Sequence, residues 1–193
     1  MNFVRTTFGA ILSAVLVLSA CETPAKVTVL QAANASITPG ATYAWSPVAQ
    51  GGTGQGDPRI DNEIIRERIR TAINTNLGAK GYQLVSDPAS ARLLVAYYVG
   101  IQPGTDYRVD TYGPSVYGYG WGYYGAPSNI DVRAISYVDG TLILDLRDRE
   151  SGQLAWRATS QKRINEGDGA QDKLNELVAN MVVSLPGVAP PPA

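Results

Sequence analysis

The chain has 193 residues, 16 of them basic and 17 acidic, with no histidine and one cysteine. This composition excludes Ser-His-Asp and Cys-His nucleophile pairs, zinc sites built from His or Cys, and an intramolecular disulfide. The balanced charge supplies no basic face for nucleic acid, and about 170 residues beyond a removable leader suit one domain, which at that size buries roughly 70% of its unfolded surface.

The leader is the first element. Arg5 and the free amine make a positive start, and Phe8–Leu18 is an apolar run. A run of that length is shorter than the roughly 20 residues a spanning helix needs. A plain secretory signal ends in small residues; here Leu18-Ser19-Ala20 leads directly into Cys21. The alternative is a buried cysteine that ends an ordinary signal or short membrane helix.

The Leu18-Ser19-Ala20-Cys21 stretch resembles the lipobox of bacterial lipoproteins. The resemblance implies that residues 1–20 are a signal peptide, that the Cys21 sulfur takes diacylglycerol, and that the new amine is acylated. It implies no cofactor beyond those covalent chains. Acyl chains contribute roughly 0.8 kcal/mol per buried CH₂, so three anchor stably to a membrane. In enteric-type sorting an Asp after the cysteine resembles an inner-membrane retention signal. Glu22 stands there instead, which favours the periplasmic face of the outer membrane. Losing the leader removes one cation, Arg5, and leaves 15 basic against 17 acidic residues.

Residues 21–26 then form the lipidated cysteine and a short linker reaching about 15–18 Å, so the domain, residues 27–186, sits close to the membrane. Ala25–Ala33 reads as a strand, and Ala41–Pro47 as another with Tyr43 and Trp45 on one face. The glycine-rich stretch Gly51–Gly56 lacks a following Lys-Ser/Thr and is no phosphate loop. A helix is expected to start at Asp57-Pro58 or at Asp61. Its apolar stripe is Ile60, Ile64, Ile69, Ile73 and Leu77, widened by Ile65 and Ala72, and Gly78 and Gly81 close it. A short strand, "YQLVSDP", and a turn precede Ala91–Ile101, which is apolar on both faces and therefore central. A long loop follows from Gln102 to Asn129. Then come the strand "IDVRAISYVDG", the strand "TLILDLRD", a turn, and its antiparallel partner Gln153–Gln161. The last helix carries Leu174, Leu177, Val178, Met181 and Leu185 and ends at Pro186. Residues 187–193 are a proline-rich tail. Two helices with apolar stripes need a sheet to cover. The expected fold is α+β, a two-layer sandwich with a mainly antiparallel sheet.

With these elements placed, the chain resembles the domain-of-unknown-function 4136 family of bacterial lipoproteins over Val27 to Pro186. The matching pieces are "TYAW", a helix ending "LGAKGY", "ARLLVAYYVG", a Tyr/Gly-rich loop, "DGTLILDLRDRESGQLAWRA" and a closing helix ending "LP". The resemblance implies an anchored α+β domain in the cell envelope. No activity is established for the family, so no catalytic residue carries over.

The Tyr/Gly loop is the first candidate site. Tyr112, Tyr117, Tyr119, Trp121, Tyr123 and Tyr124 alternate with glycines, and Tyr107 lies just before them. Tyr and Trp give broad contact area with a polar tip, suited to protein partners and membrane interfaces. The competing reading is a connector linking two strands, for long loops are either functional or disordered. Asp139, Asp145, Asp148 and Glu150 could form a cation or acid–base site. Pairing of Asp145 with Arg157 across a hairpin, on the open face of the sheet, accounts for them better. Asp168 or Asp172 is expected to cap the last helix, and Trp45 and Trp156 to pack on the sheet.

Three functions are compatible with these features. The first is a non-catalytic, membrane-anchored envelope lipoprotein that serves as a structural or interaction module, with an envelope protein as partner. The second is a ligand- or lipid-binding accessory of an envelope transport system, which requires a groove between helices and sheet. The third is a hydrolase built on carboxylates, which requires two acids facing into a cleft.

Overall fold

Alternation along the strands sorts the side chains to two faces of one sheet. The computed structural model describes residues 25–33, 35, 37–50, 62–112 and 129–188. Among these, the strands are β1 (Lys26–Gln31), β2 (Thr42–Gln50), β3 (Gln83–Leu84), β4 (Leu93–Tyr112), β5 (Asn129–Asp148) and β6 (Leu154–Arg163). They run in the order β1-β6-β5-β4-β2-β3. Pairing is antiparallel except where β2 runs parallel to β3 and β4. Helices α1 (Glu63–Ala79) and α2 (Gln171–Met181) complete an α+β sandwich. The strand that is apolar on both faces, β4, does lie in the middle of the sheet.

The period of two puts Leu93, Val95 and Tyr97 of β4, Leu142, Leu144 and Leu146 of β5, and Trp156 and Ala158 of β6 in one buried cluster. Ile69, Ala72, Ile73 and Leu77 of α1 join it, as do Leu174, Val178 and Met181 of α2. Asn62 opens α1, its side chain accepting from Ile65 N at 2.9 Å. The helix therefore starts at neither expected aspartate; Asp57, Ile60 and Asp61 lie outside the described residues. Ile64 is 64% exposed and drops out of the expected stripe, because the buried face is centred on residues 69, 73 and 77. Helix α2 stops at Met181, short of Pro186, and the next residues turn. Lys80 Nζ donates to the carbonyls of Val183 and Leu185 there, at 3.0 and 2.7 Å, and Leu185 stays buried. Neither Asp168 nor Asp172 caps α2: the N-cap is Ala170, without a side-chain bond.

Two corrections concern the sheet. The expected break at Asp139-Gly140 is absent, and β5 passes straight through it. Gly140 keeps its place between Ile101 and Lys162, with Ile164 packed where a Cβ would be. The expected loop also does not begin at Gln102. Residues 102–112 continue β4 and pair with 129–139 of β5, in unbroken register down to Tyr112 opposite Asn129. Gly104 sits in the strand because the Tyr137 ring, directly across, covers it and fills the space of a side chain. Aromatic cover of a strand glycine offsets its weak packing.

Two buried tyrosines make the fold sensitive to alkali. Tyr43 donates to Asn74 Oδ1 at 3.0 Å, and Tyr82 to the Pro186 carbonyl at 2.7 Å. Burial pushes both hydroxyls up to about 12, from 10.0. Each contributes stability that is full below pH 10.0 and is lost as pH rises to about 12. Urea midpoints measured across that range should fall steeply in the wild type and less steeply in Tyr82→Phe. Equal slopes would mean that Tyr82 ionises freely in the folded state.

Candidate functional site

Small side chains at one end of the sheet leave room beneath the helices. On β6 the helix-facing side runs Trp156, Ala158, Ser160, Lys162, and across from the last two stand Leu142 and Gly140. Large residues fill the Trp156 end. At the other end the space stays open as a groove of about 890 Å³, within the range of about 300–1,000 Å³ usual for small-ligand sites. Its apolar wall comes from Ile65 and Ile69 of α1, Val99 of β4, Leu142 of β5, and Leu174 and Leu177 of α2.

The polar part of the groove is compact. Lys162 Nζ meets Asp168 Oδ1 at 2.7 Å, and Asp168 Oδ2 accepts from Asn165 N at 2.8 Å. That explains why Asp168 is not a helix cap. Arg68 Nη1 donates to the Gly169 carbonyl at 2.9 Å and fastens this turn to α1. Ser160 lines the groove, and its buried hydroxyl has no hydrogen-bond partner among the described residues. A buried unpaired hydroxyl costs free energy, so a ligand acceptor placed there would gain a donor already stripped of water. An apolar wall, one free donor and an ion pair at the rim suit an amphiphile.

The second feature is the extension of β4 and β5. Strand β2 pairs with β4 only as far as Tyr97, and β6 reaches along β5 only to Asp139. Beyond that the two strands continue as a ribbon. One face of it carries Thr105, Tyr107 and Val109 opposite Ser136, Ala134 and Val132, and holds no charge. Tyr107 is 71% exposed, and Val109 and Val132 are also open to solvent. The other face carries Asp106, Arg108 and Asp110 opposite Ile135, Arg133 and Asp131. Arg108 stands against Arg133 and Asp110 against Asp131, which is unfavourable across a ladder. Each arginine is instead neutralised along its own strand, by Asp110 at 3.1 Å and Asp131 at 2.8 Å. At the base, Arg163 lies 3.7 Å over the Tyr137 ring and binds Asp106 at 2.8 Å. A ribbon with one uncharged, exposed face is marginal alone and suited to cover by a partner.

Of the residues singled out in the sequence, Tyr112 ends β4. Tyr117, Tyr119, Trp121, Tyr123, Tyr124 and Cys21 lie outside the described residues. The carboxylates face cations rather than one another across a cleft. Asp145 is fully buried and takes two bonds of 2.6 Å from Arg157, its cross-strand neighbour, as expected. Asp148 accepts from Ser151 N and Oγ and faces Arg92 at 2.9 Å; chiefly the backbone bond from Ser151 holds its carboxyl below the usual range. Glu150 also meets Arg92, at 3.2 Å, and Asp139 stands opposite Arg163. No cluster of three metal-ligating side chains occurs among the described residues. None of their helices is long and apolar enough to cross a membrane. Sequence reading missed Ser160, Lys162 and Asp168 as groove residues, and Val109 and Val132 as an exposed rung. Continuing the alternation of "QLAWRATSQ" by one residue would have put Ser160 and Lys162 beside Trp156 on the helix-facing side.

A family model for a domain of unknown function, DUF4136, matches residues 28–187. The chain belongs to the DUF4136 family. A solved DUF4136 family protein from Bacteroides thetaiotaomicron is 14% identical, with a TM-score of 0.45 over 82% of this chain and 96% of that one. A PelC dodecamer from Paraburkholderia phytofirmans is 14% identical, with a TM-score of 0.47 over 84% of this chain and 100% of that one. A lipoprotein from Neisseria meningitidis is 11% identical, with a TM-score of 0.37 over 75% of this chain and 99% of that one. No curated protein sequence matches the chain. Membership of DUF4136 brings a family and no assigned activity.

Proposed function

We propose that this DUF4136 chain is a non-catalytic interaction module of the cell envelope. Acyl chains on Cys21 hold it at the periplasmic face of the outer membrane, and its β4–β5 ribbon recognises an envelope protein. The observation that carries this reading is the uncharged ribbon face, with Tyr107, Val109 and Val132 exposed together. The aromatic residues Tyr117 to Tyr124 follow directly in the chain, and Tyr and Trp are enriched at the cores of protein interfaces. The lipobox-like Leu18-Ser19-Ala20-Cys21 supports the anchor.

The test is photo-crosslinking in living cells from a benzophenone amino acid at Tyr107. A discrete protein adduct is expected, lost when Val132→Asp charges the rung while the chain still fractionates with membranes. An adduct unchanged by Val132→Asp, or none at all, rejects the ribbon as the recognition element. In the same cells, Cys21→Ala should leave the membrane fraction; full retention of that variant would remove the lipid anchor from the reading.

The groove favours a second reading, a ligand- or lipid-binding accessory of an envelope transport system. It has the location that reading requires, between helices and sheet, and its unpartnered Ser160 hydroxyl offers a donor to a ligand.

A further inference from the structure

The occupant of the groove is to be sought next to it in the chain. Ala25, the first described residue, lines the groove. The register of β1 on β6, with Lys26 opposite Gln161, carries Ala25 to a position opposite Lys162, on the helix-facing side. Only Glu22, Thr23 and Pro24 separate Ala25 from Cys21, a span of at most about 14 Å when fully extended. An acyl chain on Cys21 therefore starts within reach of the opening and needs no carrier to arrive there.

We propose that the groove holds an acyl chain of the protein's own lipidated Cys21. This rests on the reading of Cys21 as lipidated. The fit is chemical at both ends. The walls of Ile69, Val99, Leu142 and Leu177 accept a hydrocarbon chain. The Ser160 hydroxyl gives the ester or amide carbonyl of that chain the hydrogen bond that no described residue supplies. Lys162 and Asp168 satisfy each other at the rim, so the site does not call for a charged head group. An acyl linkage, which is polar and uncharged, matches that; a free fatty acid or a phospholipid would bring an unmatched anion. With one chain held in its own domain, the protein keeps its remaining chains for the membrane. The domain is then clamped at a fixed place beside its anchor instead of swinging on a linker.

A benzophenone amino acid placed at Leu177 of α2, or at Ile65 of α1, tests this on the full chain in its native membrane. The expected product is a monomer-sized species in which the peptide carrying position 177 or 65 is joined to the acylated Cys21 peptide. Ser160→Leu, which fills the groove, should abolish the product. Crosslinks only to free phospholipid, or none from either position, overturn the proposal, the former in favour of a site for external lipid. A product that persists undiminished in Ser160→Leu also overturns it. Mass spectrometry of the uncrosslinked Cys21 peptide in the same sample separates the two failures: an unacylated peptide removes the anchor itself, whereas an acylated but uncrosslinked one removes only its place in the groove.

Discussion

Arg157→Ala should destabilise the domain by about 3 kcal/mol, and by more than Asp145→Ala does. The two side chains form a bidentate pair with both bonds at 2.6 Å, but their surroundings differ. Asp145 is 0% exposed, whereas the Arg157 side chain is 32% exposed. Removing the arginine strands a buried carboxylate whose other cation, Arg147, stands at 3.8 Å. Removing the aspartate leaves a guanidinium that can turn to water, at a cost of about 1–2 kcal/mol. Urea denaturation of the two single variants gives the order directly. If Asp145→Ala proves the worse of the two, the carboxylate is solvated in the native state and the buried pair is not what holds this part of the sheet.

The second large effect is at Trp156, which is fully buried between the sheet and the helices. Trp156→Ala should cost about 3–5 kcal/mol through lost apolar contact and the cavity left behind. Trp156→Phe should cost clearly less than Trp156→Ala, because it leaves the smaller cavity. The indole Nε1–H is buried without a partner among the described residues, so the phenyl ring gives up volume but also removes an unsatisfied donor. Urea midpoints for both variants decide this. A phenylalanine variant as unstable as the alanine one would show that the indole nitrogen has a partner in solution, such as a buried water.

Most of the sheet was legible because alternation is a strong signal where one face is buried. The alternation of "TLILDLRD" predicted a strand, and the same reasoning paired Asp145 with Arg157 across the hairpin. The ribbon was not legible. Pro103-Gly104 and the Tyr/Gly stretch after it have the composition of a loop, and nothing local reveals that Tyr137, far along the chain, covers Gly104. Asp139-Gly140 misled for a similar reason: the cue for a turn is local, while the partners that keep the strand straight, Ile101 and Lys162, come from elsewhere. The groove was anticipated as a requirement of one function, but its place was not. It depends on which end of the sheet carries small residues, and that is set by the register between β5 and β6. The start of α1 was missed because capping residues follow one another closely, and the local sequence does not choose between Asp57, Asp61 and Asn62.

The unbroken register of β4 on β5 also constrains how the chain folds. Pairing at the far end of the ribbon closes only residues 113–128, whereas pairing at Leu93 and Asp148 closes residues 94–147. The entropic difference between these closures is only about 1 kcal/mol, because the cost grows with the logarithm of length. Burial differs far more: Val95 and Leu146, which face each other, are both 0% exposed, while Val109 and Val132, which face each other on the ribbon, stay wet. Nucleation therefore belongs at the long-range end, against the usual habit of hairpins that zip outward from their turn. The ribbon forms last and opens first, so it can melt and re-form while the rest of the molecule stays folded.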